Sequence, residues 1–333
     1  MASASAKGIA AHYDKIAQAG HGRNRRSEND CAHLRKLNNW VKSVQIINLV
    51  KNGDCVLDYC SGKGGDLGKY AKRSIGYYVG CDISYESAKE AVKRYNSFNP
   101  SFGALLLTGD GFSMDLNSVL PSDIRFNAVS CQFSLHYAFE SEQRVRCCLR
   151  NVSCRLVPGG YFFGTLPDSN VIVSRMRAKR STNPKARSFG NDFFKISIED
   201  PEAFDKGRIL KSNPFGHQYL FDLNDAVNSC SEWLVPKSVL VAMAQEYGLE
   251  LVYWKNLHQF FVLHSSAPDR PETFALLNQM KVADKDGHIP LQEFNIAGLY
   301  VAFAFRKIGQ ENSESSRIRK PFCALSVNDI IQV

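Results

Sequence analysis

The chain has 333 residues, 44% of them hydrophobic, which suits one large domain or two small ones with a sizeable core. Forty-one Lys and Arg against 33 Asp and Glu leave a net charge of +8, which favours an anionic partner and equally describes a solvated basic surface. No run has the length of a membrane span, no apolar core follows Met1–Lys7, and the ten cysteines contain no C-x-x-C pair, so membrane insertion, secretion and a zinc site are not expected.

Residues 1–32 are mostly small, polar or basic, with Gly20-His-Gly-Arg-Asn-Arg-Arg26 at their centre, and read as a mobile basic arm. From His33 to Leu49 the pattern changes. Leu34, Leu37, Val41, Val44 and Asn48 mark one face at helical spacing with Trp40 beside it, which predicts an amphipathic helix packed before the first strand. Asn38, Asn39 and Lys42 fall off that stripe, toward a functional side or simply toward solvent.

Cys55-Val-Leu-Asp-Tyr-Cys-Ser-Gly-Lys-Gly-Gly-Asp66 then reads as strand, glycine turn and helix start. Such a turn lets backbone N–H groups approach a ligand closely, because glycine has no Cβ and tolerates positive φ. A triphosphate-binding loop would need Gly at position 57 and Ser or Thr after the lysine, and these are Leu57 and Gly64. A dinucleotide fingerprint loses its first glycine at Cys60. What stands out is a carboxylate, Asp58, at the end of the strand, suited to a ligand ammonium. Tyr77-Tyr-Val-Gly-Cys-Asp82 ends a second strand 20 residues after Gly62, with a carboxylate suited to a ribose diol. Ala104-Leu-Leu-Leu-Thr-Gly-Asp110 ends a third, with an acceptor for an adenine amino group. Ammonium, ribose and adenine in that order describe S-adenosylmethionine. One such Asp alone would be read as a strand terminator; three in register favour a cofactor site.

Helices over 85–95 and 115–120 separate these strands from a fourth, Phe126–Ser134, whose exit Gln132-Phe-Ser-Leu-His-Tyr-Ala-Phe139 is rich in aromatic and hydrogen-bonding groups. A lone His is usually structural, but His136 beside Phe133 and Tyr137 at this sheet edge reads as part of a purine pocket. A helix over 140–156 and a fifth strand from Pro158 to Pro167 complete a β/α alternation that indicates a doubly wound sheet. Arg175, Arg177, Lys179, Arg180, Lys185 and Arg187 make a basic segment that reads as a charged helix end and loop, or as a surface for a phosphate chain. Residues 188–245 form a lobe of short apolar pieces, so that an inserted lobe is expected over about 174–245. Leu249–Lys255 and Leu299–Arg306 predict a closing strand pair around a helical excursion. Within it Asp284–Glu293 imitates half of an EF-hand, but its first position would be Val282, which cannot ligate calcium. The segment 309–333 reads as a polar tail, with Arg317-Ile-Arg-Lys320 a faint nuclear-import signal.

These segments resemble the eukaryotic mRNA cap guanine-N7 methyltransferases, in a plant-like form. The likeness is carried by HLRKLNNWVKS (33–43), VLDYCSGKGGDLGKY (56–70), YYVGCDIS (77–84), SCQFSLHYAF (130–139), LVPGGYFFGTLPDSNVI (156–172), FGN (189–191), SEWLVP (231–236) and LYVAFAF (299–305). It implies an α/β, Rossmann-like class I S-adenosylmethionine-dependent methyltransferase sheet, helices on both faces, over residues 33–308. It further implies cofactor contacts at Lys42, Asp58, Cys60, Gly62, Asp82, Asp110, Gln132 and Tyr137. Contacts to the cap would come from Asn38, Asn39, Lys63, Lys69, Arg94, His136, Glu232 and Tyr300. Cys60 and Ser61 stand where the family usually has Gly-Cys or a similar small pair, which leaves the main chain of Cys60 as the contact compatible with that change.

The implied reaction moves a methyl group from S-adenosylmethionine to N7 of the guanosine capping a nascent transcript, with no metal. N7 has a free lone pair and loses no proton, so no general base is expected, only positioning by His136, Tyr137 and Glu232. A capped RNA is the implied partner, with capping and transcription machinery beside it, and the nucleus the implied location. A ribose 2′-O methyltransferase would need a lysine and acidic partners at the strand exits, where Gln132 stands. A catalytically silent cap-binding module and a dehydrogenase are the readings from other classes.

Overall fold

A computed structural model describes residues 4–19, 31–202, 213–224, 227–266, 268, 270–309 and 319–333. The basic cluster Gly20–Arg26 and residues Arg317 and Ile318 lie outside the described residues.

Strand and helix alternate to build one large sheet. Helices α1 (Ala4–Ala19) and α2 (Ala32–Leu49) precede β1 (Cys55–Tyr59); α3 (Leu67–Lys72), β2 (Tyr77–Asp82), α4 (Tyr85–Phe98) and β3 (Gly103–Thr108) follow. After β4 (Phe126–Gln132) come α5 (Glu142–Arg155), β5 (Leu156–Pro167) and α6 (Ser169–Thr182). An inserted antiparallel sheet comprises β6 (Ser188–Gly190), β7 (Phe194–Ser197), β8 (Gln218–Leu223) and β9 (Val227–Trp233). Helix α7 (Lys237–Glu246) and β10 (Leu249–Asn256) return to the main body; α8 (Leu257–His264), α9 (Pro271–Gln279) and α10 (Leu291–Ala297) form the expected excursion before β11 (Tyr300–Lys307). With β12 (Ile331–Gln332) the main sheet has the order β10-β11-β5-β4-β1-β2-β3-β12. β10, β11 and β5 run antiparallel to their neighbours in that group, and the remaining pairings are parallel. Chain order reverses between β1 and β4, the place where open α/β sheets leave a crevice beyond their strand ends.

The two-residue period of a strand divides the core into layers. Cys55, Leu57 and Tyr59 point to the side packed by Val145, Leu149 and Val152 of α5 and Leu240 of α7, whereas Val56 points to the side covered by Ile46 of α2, Tyr70 of α3 and Ala91 of α4. Helix α2 buries Leu34, Leu37, Trp40, Val41 and Val44 as its spacing predicts, and Trp40 donates its indole N–H to Thr273 O at 2.9 Å. Truncating Trp40 to Ala would cost about 3–5 kcal/mol. Asn48, expected on that stripe, is exposed; the fully buried polar residue of the helix is Gln45, whose amide donates to Gly164 O at 3.0 Å.

Four expectations are corrected. Residues 4–19 are not a mobile arm but helix α1, with Ala6 and Ile9 buried and its Asp14 accepting from Ser84 Oγ at 2.5 Å; small residues left the helix too little apolar signal of its own. The C-terminal segment is not a free polar tail. Lys320 O accepts from Gly103 N at 2.6 Å, Phe322 packs 5.3 Å from Tyr95, and β12 pairs in parallel with β3, covering an edge that would otherwise be open. Beside it Arg319 donates to Asn52 and Lys320 sits 5.1 Å over the Tyr77 ring, both remaining exposed. The lobe also ends earlier than 245, because Leu240, Met243 and Ala244 of α7 join the main core. The helix expected over 115–120 is only a 3₁₀ turn at Leu116–Ser118.

Candidate active site

β1 delivers the chain into a tight left-handed turn at the crevice. Cys60, Gly62 and Gly64 have φ of 65°, 53° and 66°; a Cβ on Gly64 would stand 2.6 Å from Leu67 Cδ1, so glycine there spares both backbone strain and a shift of Leu67. The turn is tied down where Ser61 N donates to Cys81 O at 2.9 Å and Gly62 N to Asp82 Oδ2 at 2.7 Å. Beside it lies a cavity of about 270 Å³ lined by Cys60, Gly62, Asp82, Asp110, Gln132 and Tyr137, six of the expected cofactor residues. Ile9 and Tyr13 of α1, with Phe112 and Arg144, also line it and were not expected.

Asp58, Asp82 and Asp110 are not in register. Asp58 pairs with Gly80 and Asp82 with Thr108, so each carboxylate stands two residues farther along than the last, about 6.6 Å per step. Such a staircase suits a long ligand better than a level row would. Asp82 Oδ1 accepts from Ser84 N at 2.9 Å, and burial pushes its carboxyl up to about 6 against the pull of its two backbone N–H donors. Asp110 meets the end of the Arg144 guanidinium, Nη1 donating to Oδ2 at 2.7 Å and Nη2 to Oδ1 at 3.1 Å, and Phe112 N donates to Oδ1 at 3.2 Å.

Asp58 and Lys42 do not line the cavity. Strand alternation turns Asp58 to the α2/α3 side, where Tyr78 donates to its Oδ2 at 2.9 Å. Lys42 and Lys69 both grip Asp66, at 3.0 Å and 2.6 Å, close by. Burial and the neighbouring Asp66 charge push the Asp58 carboxyl up to about 7, against the Tyr78 bond and the two lysines. Burial opposes ionisation of Asp66 too, but there the two lysines prevail and hold its carboxyl below the usual range.

A cluster of buried polar and aromatic side chains adjoins the cavity across the His136–Tyr137 pair, whose rings are 4.2 Å apart. Tyr137 reaches Tyr13, hydroxyl to hydroxyl, at 3.0 Å on the cavity side. His136 Nε2 lies 3.5 Å from Glu232 Oε1 on β9, and Tyr219 donates to Glu232 Oε2 at 2.6 Å. Tyr300 stands edge-on to Phe133 at 5.2 Å. Phe133 holds a left-handed φ of 56°, which costs about 1–3 kcal/mol for such a bulky residue. It is held there by Thr165, whose O and Oγ1 accept from Phe133 N, and Thr165 Oγ1 in turn donates to Gln132. Both ring nitrogens of His136 and Oδ1 of Asn38 are buried without a hydrogen-bond partner. Buried polar atoms are nearly always satisfied, so the unsatisfied ring of His136 beside Glu232 marks a place suited to a polar ligand.

The remaining expected residues sit on one flank. Asn39 Oδ1 accepts from Lys69 at 3.3 Å, Lys63 is half-buried in the turn, and Arg94 is exposed on α4 with Nη1 3.7 Å from where a Cβ on Gly65 would stand. The basic segment after β5 forms α6 and a turn, and its Arg175 and Lys179 line a separate open groove with Phe189 and Asn191 of the inserted sheet. Sequence reasoning missed Tyr13, Arg144, Gln45 and Tyr219. Ile9, Tyr13 and Ile16 have i, i+4, i+7 spacing, but three residues among small and polar neighbours are too short a stripe to mark α1 alone. The other three are single polar residues within ordinary periodic segments and carry no such signal.

A doubly wound sheet with this glycine turn and stepped acids defines a Rossmann-like class I methyltransferase fold. The model of the mRNA (guanine-N(7))-methyltransferase domain matches residues 2–308, and so includes α1. The mRNA cap guanine-N(7) methyltransferase 1 of Oryza sativa subsp. japonica is 39% identical over 336 residues, covering 98% of this chain and 88% of that protein. Its namesake in Arabidopsis thaliana is 37% identical, covering 98% and 89%. The mRNA cap guanine-N(7) methyltransferase of Schizosaccharomyces pombe is 40% identical, covering 90% and 82%. The chain belongs to the mRNA (guanine-N7)-methyltransferase family.

Proposed function

We propose that this protein methylates N7 of the guanosine that caps mRNA, using S-adenosylmethionine, with capped RNA as its partner and the nucleus as its place of work. The observation that carries the reading is a cavity edged with stepped carboxylates whose Tyr137 wall adjoins a buried cluster of His136, Glu232, Tyr219 and Tyr300 with an unsatisfied imidazole. The cavity fits the cofactor: Asp82 has acceptor capacity for a ribose diol and Asp110 for an adenine amino group, while Asp58 and Lys42, which do not line it, are assigned to the amino-acid end. Gln132, the main chain of Cys60 and Gly62, and Tyr137 line the space between. When bound, S-adenosylmethionine supplies a methyl group activated on a sulfonium.

The protein's own task is alignment. Guanine N7 offers a lone pair without losing a proton, so no side chain needs to act as a general base, and positioning alone is worth several kcal/mol. Glu232, held by Tyr219, accepts from the guanine N1 and N2 hydrogens and favours the positive charge that arrives on the purine. His136 and Asn38 offer their unpartnered atoms to the cap nucleoside, and Tyr300 and Tyr137 fix the plane of the base. Asn39, Lys63, Lys69 and Arg94 hold the triphosphate bridge by charge and hydrogen bonds. Capping and transcription machinery would supply the unmethylated transcript.

Incubating unmethylated GpppG-RNA with labelled S-adenosylmethionine and locating the label tests this reading. Label on N7 of the terminal guanine is expected; label on a ribose 2′-oxygen would overturn it.

A further inference from the structure

We infer that Phe98 and Arg94 of α4 form a landing for the first transcribed nucleoside, on the far side of the triphosphate bridge from the guanosine cap; this rests on the cap-methylation reading above. Among the described Phe, Tyr and Trp residues Phe98 is the one left exposed, at 49%. Its ring leans on Gly68 of α3, where a Cβ would meet Phe98 Cζ at 3.2 Å. Gly68 therefore brings the ring onto α3 while about half of its surface stays open.

Arg94 lies one helical turn before Phe98, so the two share a face of α4. Lys69 adjoins on α3, beside Asn39, and Lys72 is exposed on the same helix. The acidic groups close by are already matched: Asp66 by Lys42 and Lys69, and Glu90 by Lys93. The patch thus combines a stacking ring with cations, the combination that holds single-stranded nucleic acid by base and phosphate together. Its direction is right as well. α4 starts beside Asp82 and leads away from the cofactor cavity at about 1.5 Å per residue, which sets Phe98 about 6 Å beyond Arg94. A strand whose phosphates lie against Lys69 and Arg94 reaches Phe98 with its next base.

The test compares native protein with Phe98→Leu, which keeps apolar packing on Gly68 but removes the stacking ring, and with Phe98→Trp, which restores it. Substrates are GTP, which has the phosphates without a second nucleoside, the dinucleotide GpppG, and a capped RNA of about ten nucleotides. In Phe98→Leu, KM for GpppG and the RNA should rise about five- to tenfold, with kcat and the KM for GTP unchanged. Phe98→Trp should recover the native KM, and its added fluorescence should be quenched by GpppG and not by GTP. An unchanged KM for GpppG in Phe98→Leu would overturn the inference and leave the ring as a contact for another protein. An equal rise for GTP would also overturn it, as a purely structural effect. A native protein that methylates none of the three at N7 would overturn the underlying reading instead.

Discussion

The hydroxyl of Tyr13, on the first helix, stands 3.0 Å from that of Tyr137, at the exit of β4. This contact joins α1 to the cavity wall formed by Tyr137, and with Ile9 it makes the N-terminal helix part of that cavity. Losing one such hydrogen bond costs about 1 kcal/mol. Tyr13→Phe should therefore weaken S-adenosylmethionine binding roughly fivefold, and removal of residues 1–19 should weaken it further, both read by titration calorimetry. Unchanged affinity in the truncated protein would detach α1 from the site.

Arg144 is held by a different logic. Its guanidinium and the Asp110 carboxylate are both nearly excluded from solvent and satisfy each other face to face. Arg144→Met leaves a buried carboxylate without its partner and should destabilise the protein by about 3–5 kcal/mol in urea unfolding. Adding Asp110→Leu should restore much of that stability without restoring cofactor affinity. A single mutant as stable as the native protein would contradict the pairing.

The raised carboxyls of Asp58 and Asp82 give the ligand-free protein a stability that falls as pH rises. In the unfolded chain both titrate near 3.8, whereas folded they hold their protons up to about 7 and about 6. Between about pH 4 and pH 7 the native state thus binds more protons than the unfolded state, so these two groups stabilise most at the low end and lose that contribution through the window. Binding an ammonium beside Asp58 needs the carboxylate, so cofactor affinity should run the other way, weakening as pH drops below about 7 with proton release on binding. Calorimetry in buffers of differing ionisation enthalpy reads that release; binding near pH 6 without it would contradict the role of Asp58.

How much of this could be read from residue order depended on whether a feature was local. Asp82 announced itself by its distance from Gly62 at the end of an apolar run, and the aromatic exit around His136 stood out for the same reason. The side to which Asp58 turns follows from strand parity, yet the cluster it joins needs Lys42, Asp66 and Lys69 from two helices. Helix α1 and strand β12 are the clearest failures. Each is stabilised by a partner distant in sequence, Ser84 and Tyr137 for the one and β3 for the other, and neither carries enough apolar pattern to show itself alone. Arg144 gave no sign, since an arginine in an amphipathic helix is ordinary until Asp110 is seen opposite.

Glu232 offers the cleanest separation of fold from chemistry. Gln keeps its shape and can still accept from Tyr219, so Glu232→Gln should leave the melting temperature nearly unchanged. Loss of a charged acceptor costs about 1.5–3 kcal/mol, which predicts a fall of roughly ten- to hundredfold in kcat/KM for capped RNA. A fall shared by cofactor affinity would mean that Glu232 serves the cofactor cavity instead.

The central claim is that the cofactor and the cap bind on either side of His136 and Tyr137 at the same time. Titrating GpppG into protein saturated with S-adenosylhomocysteine tests it directly. The expected result is a ternary complex, with GpppG bound at least as tightly as to the free protein; competition between the two ligands for one site would contradict the account.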